Sequence, residues 1–183
     1  TGSPIRKELF SGNKLKGIDF CGFTANKPII LVTGGSLGSV VVNDAVRNLL
    51  PTLLLDYQVI HLCGKGKLAP ELENKPGYVQ YEYIQEELPD LFAAADLIIS
   101  RAGANTICEI LAMRKPNILI PLSAAQSRGD QILNAESFGS QGFSYVVKEE
   151  ALNDETLQKA IQEVITHKAD YITAMTESSQ TNA

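Results

Sequence analysis

Three stretches of the chain place glycine beside hydroxyl, amide or carboxylate side chains directly after an apolar run, where backbone and side chains can meet a ligand together. The first is GGSLGS at 34–39. Glycines let backbone approach a ligand closely, and a helix start behind them favours an anion. The spacing is neither the GxGxxG of a dinucleotide fold nor the Gly-Lys-Ser/Thr of a P-loop. An ordinary tight strand-to-helix turn and an anion site fit this loop equally well. The second is SRAGANTICE at 100–109. It opens a helix, so the amides near Ala104, Asn105 and Thr106 lack intrahelical partners and can hold a diphosphate, helped by the Thr106 hydroxyl and the helix dipole. Glu109 follows about one turn on. A carboxylate there can accept two hydrogen bonds from a ribose diol, or it can be a capping partner or a solvated helix charge. The third stretch runs from Pro121, Leu122 and Ser123 through Arg128, Gly129, Asp130 and Gln131 to Asn134 and Ala135. Asp130 and Gln131 can hydrogen-bond sugar hydroxyls, and Asp130 fits a helix N-cap as well.

The remaining inventory offers no obvious general base. His61 lies inside an apolar run and reads as a packed, satisfied residue, while His167 reads as surface. No order of Ser, His and Asp fits a triad, and there is no nucleophile elbow. No His/Cys/Asp/Glu cluster has metal-ligand spacing, so no metal is expected. The cysteines are Cys21, Cys63 and Cys108, an odd number without a CxxC motif. Cys63 and Cys108 sit in apolar surroundings and read as small core residues. A reducing cytoplasm suits this usage.

Elements of two alternating kinds must carry the three loops. Residues 29–33, IILVT, form an unbroken apolar run, the mark of a strand covered on both faces. A helix is expected over 39–54, with Val42, Ala45, Val46, Leu49 and Leu50 on one face. Strands follow at 58–62, 78–81, 97–100, 117–120 and 143–147. Helices fall between them at 88–94, 104–113 and 131–138. A last helix at 153–165 is capped by Asn153 or Asp154. Leu88, Leu91, Phe92, Ile107, Ile110 and Leu111 are the expected inward residues. Strands alternating with helices at short spacing mean βαβ units with right-handed crossovers. The fold class is therefore α/β, a Rossmann-like doubly wound parallel sheet, with ligands expected beyond the carboxyl ends of the strands. Residues 1–27 lack periodicity and read as a linker, and the tail after Met175 reads as polar and loose.

The bulk numbers agree with a globular domain. The chain has 183 residues, 44% hydrophobic and 20% charged, enough for a real core. The formal net charge of −5 argues against a nucleic-acid partner, because a phosphate backbone needs a basic face. The apolar runs are too short to span a bilayer, and no signal peptide is visible. The absence of an initial Met and the linker-like start lead us to expect a piece of a longer chain.

GGSLGS, ISRAGANTICE and DQILNA in one order, with TGSPIR ahead of them, resemble the carboxy-terminal half of the MurG family. These are cell-wall glycosyltransferases that add N-acetylglucosamine to an undecaprenyl-linked muramoyl-pentapeptide lipid. The resemblance covers nearly the whole chain. It implies a GT-B architecture in which two Rossmann-like lobes face across a cleft. This lobe would bind UDP-N-acetylglucosamine (UDP-GlcNAc), with 1–27 as interdomain linker, 28–175 as the UDP-sugar-binding domain and 176–183 as a polar tail. The other lobe would bind the lipid acceptor and supply a candidate catalytic histidine, so no catalytic residue, metal or other cofactor is expected here. Carried over by position, Arg6 and Ser36 are implied near the diphosphate and the cleft. The backbone of Ile84 is implied at the uracil edge, and Ala104, Asn105 and Thr106 at the phosphates. Glu109 is implied at the ribose and Gln131 at the sugar hydroxyls. The chain departs from the family in a longer loop over 123–129, in Asp130 where a second Gln is common, and in Ala102 where Ser is usual.

The resemblance further implies a peripheral enzyme on the cytoplasmic side of the bacterial membrane, attached mainly through the other lobe. It implies inversion in one displacement, and no transfer by these residues alone. Rival readings are a UDP-sugar transferase acting on another lipid, a UDP-GlcNAc epimerase, the binding subunit of a split glycosyltransferase, and a nucleotide-binding scaffold without a reaction.

Overall fold

The buried runs seen in the sequence become strands because nothing in them alternates. In β1 (Ile29–Thr33) the first four residues are all buried, and every residue of β2 (Gln58–Leu62) and β4 (Leu97–Ser100) is buried too. Such strands need cover on both faces, which helices between parallel strands supply. The computed structural model describes residues 7–35, 37–126 and 128–181. Its strands run in the order β3-β2-β1-β4-β5-β6, that of a doubly wound sheet. The remaining strands are β3 (Tyr78–Tyr81), β5 (Asn117–Leu119) and β6 (Tyr145–Val146). The pairs β1/β2, β2/β3 and β5/β6 are parallel. The chain divides into two compact units, Lys7–Ile98 and Ile99–Ala183.

In the first unit, Ile29 pairs with Gln58, and Ile60 with Val79. Helix α2 (Val40–Asp56) buries Val42, Val46, Leu49, Leu50 and Leu53, the expected stripe, with Ala45 at its margin. Its cap is Ser39, whose Oγ accepts a hydrogen bond from Val42 N. Residues 7–20, expected as linker, fold instead. They form a 3-10 turn (Lys7–Ser11) and α1 (Lys14–Phe20), both packed on α3 (Leu88–Ala94). Periodicity missed them because two glycines make the fit. A Cβ on Gly12 would stand 2.0 Å from Pro89 O, and one on Gly17 2.3 Å from Asp90 O. Asn13 N donates to Asp90 Oδ1, and Leu9 and Ile18 are buried. Further on, the Gln58 amide exchanges bonds with the backbone of Thr24 and also donates to Lys27 O.

In the second unit, α6 (Asp154–Thr166) buries Leu157, Ala160, Ile161 and Val164 at helical spacing and packs on β5. Asn153 and Thr156 form a reciprocal capping box at its start. Replacing Asn153 by alanine is expected to cost about 1 kcal/mol, read as a lower urea midpoint with an unchanged m-value.

Strand β6 is shorter than the expected 143–147, because its leading residue closes the preceding helix. Helix α5 (Asp130–Ser140) ends in a Schellman motif: Gly142, at φ +79°, donates to Gly139 O, and Phe143 N donates to Phe138 O. The Phe138 and Phe143 rings meet edge to face at 5.4 Å. The tail expected to be loose is helical, as α7 (Lys168–Thr181) continues past the buried Met175 without an intervening Gly or Pro.

Candidate functional site

In the second unit the best-formed ligand feature is the start of α4 (Ala104–Met113), directly after β4. Its N-cap is Gly103, in extended conformation, which offers no side chain to the first-turn amides. A Cβ at Gly103 would meet nothing within 4 Å, so the space ahead of the helix is open. Ala104 and Asn105 are exposed and Thr106 half-buried. Uncapped amides, the positive end of the dipole and open space together make an anion cradle. Glu109 is 7% exposed and already takes part in a polar interaction within the protein.

The turn before this helix is held by α5. Ala102 N donates to Gln131 Oε1 at 3.3 Å, and Asn134 Nδ2 donates to Ala102 O at 2.9 Å. Gln131 Oε1 also accepts from Leu122 N at 2.9 Å. Two backbone donors on one atom settle which end of the Gln131 amide is oxygen. The Nε2 end of Gln131 is the donor end of that amide. Gln131 and Asn134 are three apart on one helix, which places both on one face. The sequence showed that spacing, but not that the face would meet Ala102.

Arg101, between the buried Ser100 and Ala102, pairs with Glu149 at 2.5 Å, and its Nη1 donates to Ile120 O at 3.2 Å. Both ion-pair side chains are largely buried, at 9% and 14% exposed. Sequence reading assigned neither residue a role, since 48 positions separate them. Asp130 is not the cap of α5. That place belongs to Gly129, at φ +83°, and Asp130 is the exposed first helical residue. A residue already inside the helix is wrongly disposed to cap it, although its charge suits the dipole.

In the first unit, Gly35 and Gly38 take positive φ, 91° and 76°, and Gly38 N donates to Gly35 O. Glycine is required at 38 because a Cβ would stand 2.1 Å from Cys63 O, so this loop lies backbone to backbone on the turn after β2. Arg6 and Ser36 lie outside the described residues. Ile84, between β3 and α3, is half-buried, and its N–H and C=O make no hydrogen bond among the described residues. A backbone edge of that kind is what a base needs for recognition. His61 is buried and satisfied, as expected. Burial, aided by the Arg47 charge, lowers its pKa to about 3, so the ring is neutral. Cys63 is a core residue, whereas Cys108 is only half-buried at the margin of α4, and all three cysteines are free. A cavity of about 370 Å³ opens beside β3, lined in part by Cys21, Phe23, Asn74 and Tyr81, and none of the candidate residues faces it. No metal-binding group of His, Cys, Asp and Glu occurs among the described residues.

Comparison with known proteins gives these features a family. The chain is 68% identical over 183 residues to the UDP-N-acetylglucosamine--N-acetylmuramyl-(pentapeptide) pyrophosphoryl-undecaprenol N-acetylglucosamine transferase of Lachnoclostridium phytofermentans, covering 100% of this chain and 52% of that protein. It is 57% identical over 182 residues to the protein of the same name from Clostridium botulinum, covering 100% and 51%. The chain thus spans about half the length of the curated relatives it matches. In fold it is similar to the crystal structure of Acinetobacter baumannii MurG, with a TM-score of 0.72 at 22% identity, over 98% of this chain and 52% of that one. Residues 29–183 match the model of the glycosyltransferase family 28 C-terminal domain. The chain belongs to that family, glycosyltransferase family 28, as its C-terminal domain.

Proposed function

We propose that this chain is the UDP-GlcNAc-binding part of an inverting hexosyltransferase that delivers N-acetylglucosamine to undecaprenyl-diphospho-muramoyl-pentapeptide in peptidoglycan synthesis. The observation that carries the reading is the uncapped start of α4, open to solvent ahead of Gly103, in a chain 68% identical to a relative named for that transfer. On this reading residues 28–175 form the nucleotide-sugar domain, with 1–27 leading in from the other half and 176–183 trailing.

The amides of Ala104, Asn105 and Thr106 hold the diphosphate, and Glu109 accepts from the ribose diol. The backbone of Ile84 meets the uracil edge, and Gln131 Nε2 donates to a sugar hydroxyl. Arg6 and Ser36 are assigned to the diphosphate end by position in the sequence. In the reaction the acceptor hydroxyl forms a bond to the anomeric carbon as the bond to the UDP oxygen breaks. Negative charge grows on the departing diphosphate, where fixed amides lower the barrier because they need no reorganisation. The acceptor proton goes to a base in the other half of the enzyme. A lipid-linked acceptor puts the reaction at a membrane surface, and the reading places it on the cytoplasmic face. No helix among the described residues is long and apolar enough to cross a membrane, which suits peripheral attachment.

Calorimetry of the 183-residue chain with UDP tests this. Saturable binding is expected, weakened about 10–100-fold by Glu109→Ala, the size of a lost hydrogen bond to a charged group, and by a smaller factor in Thr106→Val. Absence of saturable binding, or binding indifferent to both changes, overturns the reading.

A further inference from the structure

The unit Lys7–Ile98 contains a chain of buried and half-buried polar side chains that the donor-site reading leaves unused. Arg47 Nε lies 3.4 Å from Tyr78 Oη, and Tyr78 Oη 2.8 Å from His61 Nδ1. His61 Nε2 lies 2.8 Å from Asn43 Oδ1, and Asn43 Nδ2 donates to Cys63 O at 2.9 Å. The ends fix the direction of every bond. Arg47 can only donate, and a carbonyl can only accept. Asn43 must turn its nitrogen to Cys63 and its oxygen to His61, so His61 carries its proton on Nε2. Nδ1 is then an acceptor, and the Tyr78 hydroxyl donates to it.

Both ends of this chain reach the same loop. Cys63 O is the atom against which Gly38 lies, and a Cβ on Gly64 would stand 2.5 Å from Leu37 O. At the other end Arg47 Nη2 donates to Lys67 O at 2.8 Å, and Lys67 Nζ donates to Leu37 O at 2.8 Å. We propose that Arg47, Tyr78, His61 and Asn43 form a one-way hydrogen-bond relay that positions the backbone of Leu37 and Gly38 for the diphosphate end of the donor. These are positioning residues, and none of them touches the nucleotide. An apolar set of the same shape would serve stability as well. A relay of fixed polarity adds a single orientation for the Cys63 carbonyl, and so a single seat for the loop.

The inference rests on the donor-site reading, and its test separates the two. Nitrogen NMR of the 183-residue chain is expected to show His61 as the Nε2–H tautomer, a measurement that needs no variant. Tyr78→Phe removes one hydroxyl and is expected to speed hydrogen exchange at the Gly38 amide and to weaken UDP binding about ten-fold. Val164→Ala, a core truncation in α6 outside the unit that holds the relay, is expected to lower thermal stability and leave UDP affinity at the wild-type value. The Nδ1–H tautomer, an unchanged Gly38 amide and affinity in Tyr78→Phe, or equal weakening in Val164→Ala, overturns the relay. Should the wild-type chain fail to bind UDP, the donor-site reading falls, and the tautomer and the Gly38 amide still decide whether the relay holds the loop.

Discussion

Replacing Arg101 by alanine is expected to destabilise the chain by about 3–5 kcal/mol, one of the two largest effects anticipated here. The cost comes from what is left behind. Glu149 would keep its buried carboxylate with the partner at 2.5 Å gone, and Ile120 O would lose its donor. Glu149→Ala is expected to cost a similar amount by stranding the guanidinium. The double change to Met at 101 and Leu at 149 removes both charges and should recover most of the loss, because an apolar pair pays no desolvation cost. Urea titrations of the four proteins give the coupling directly. If Arg101→Ala shifts the midpoint by less than the equivalent of about 1 kcal/mol, the value of an exposed ion pair, the pair is not the buried tie its geometry describes.

Acid should weaken the fold through His61. Its pKa falls from the ordinary 6.5 to about 3 in the folded chain, because burial opposes the charged ring and Arg47 stands nearby. Above about pH 6.5 the ring is neutral in both states, and the group contributes no pH dependence. Between 6.5 and 3 the unfolded chain takes up a proton that the folded chain refuses, so stability falls by about 1.4 kcal/mol per pH unit. By pH 4 the loss from this one group reaches about 3 kcal/mol. Urea midpoints at several pH values, for the wild type and His61→Gln, isolate it. The variant is expected to start lower at pH 7 through loss of the relay, and its acid slope to be shallower by about one proton. Parallel slopes would show that His61 protonates freely in the folded chain.

The residues proposed for the donor site differ in how much of their surroundings the sequence could carry. Ala104, Asn105 and Thr106 follow from rules with a short reach: an apolar strand, a glycine, then a helical pattern. The structure puts a strand end and an uncapped helix start at those positions. Gln131 shows the limit. The resemblance implies a sugar contact, but only the fold shows that its oxygen is taken by Ala102 N and Leu122 N. Asp130 was legible as belonging to a helix start, while its exclusion from the cap depended on Gly129 adopting φ +83°. The Arg47–Asn43 relay was invisible beforehand. It links helix α2 to two strands through side chains 4–35 positions apart, and no periodicity records such a meeting.

The sequence by itself determined the α/β class, most strand and helix positions, the buried faces of α2 and α3, and the loops that follow the strands. These depend on local pattern: unbroken apolar runs, stripes at helical spacing, caps and glycine turns, each readable within about a dozen residues. Tertiary structure alone decided that residues 7–20 fold onto α3, that Arg101 pairs with Glu149, that α5 side chains grip Ala102, and which state His61 adopts. The reason is physical. A close backbone approach, a buried charge pair or a fixed tautomer is a property of two surfaces brought together, and neither surface encodes it until the other is in place.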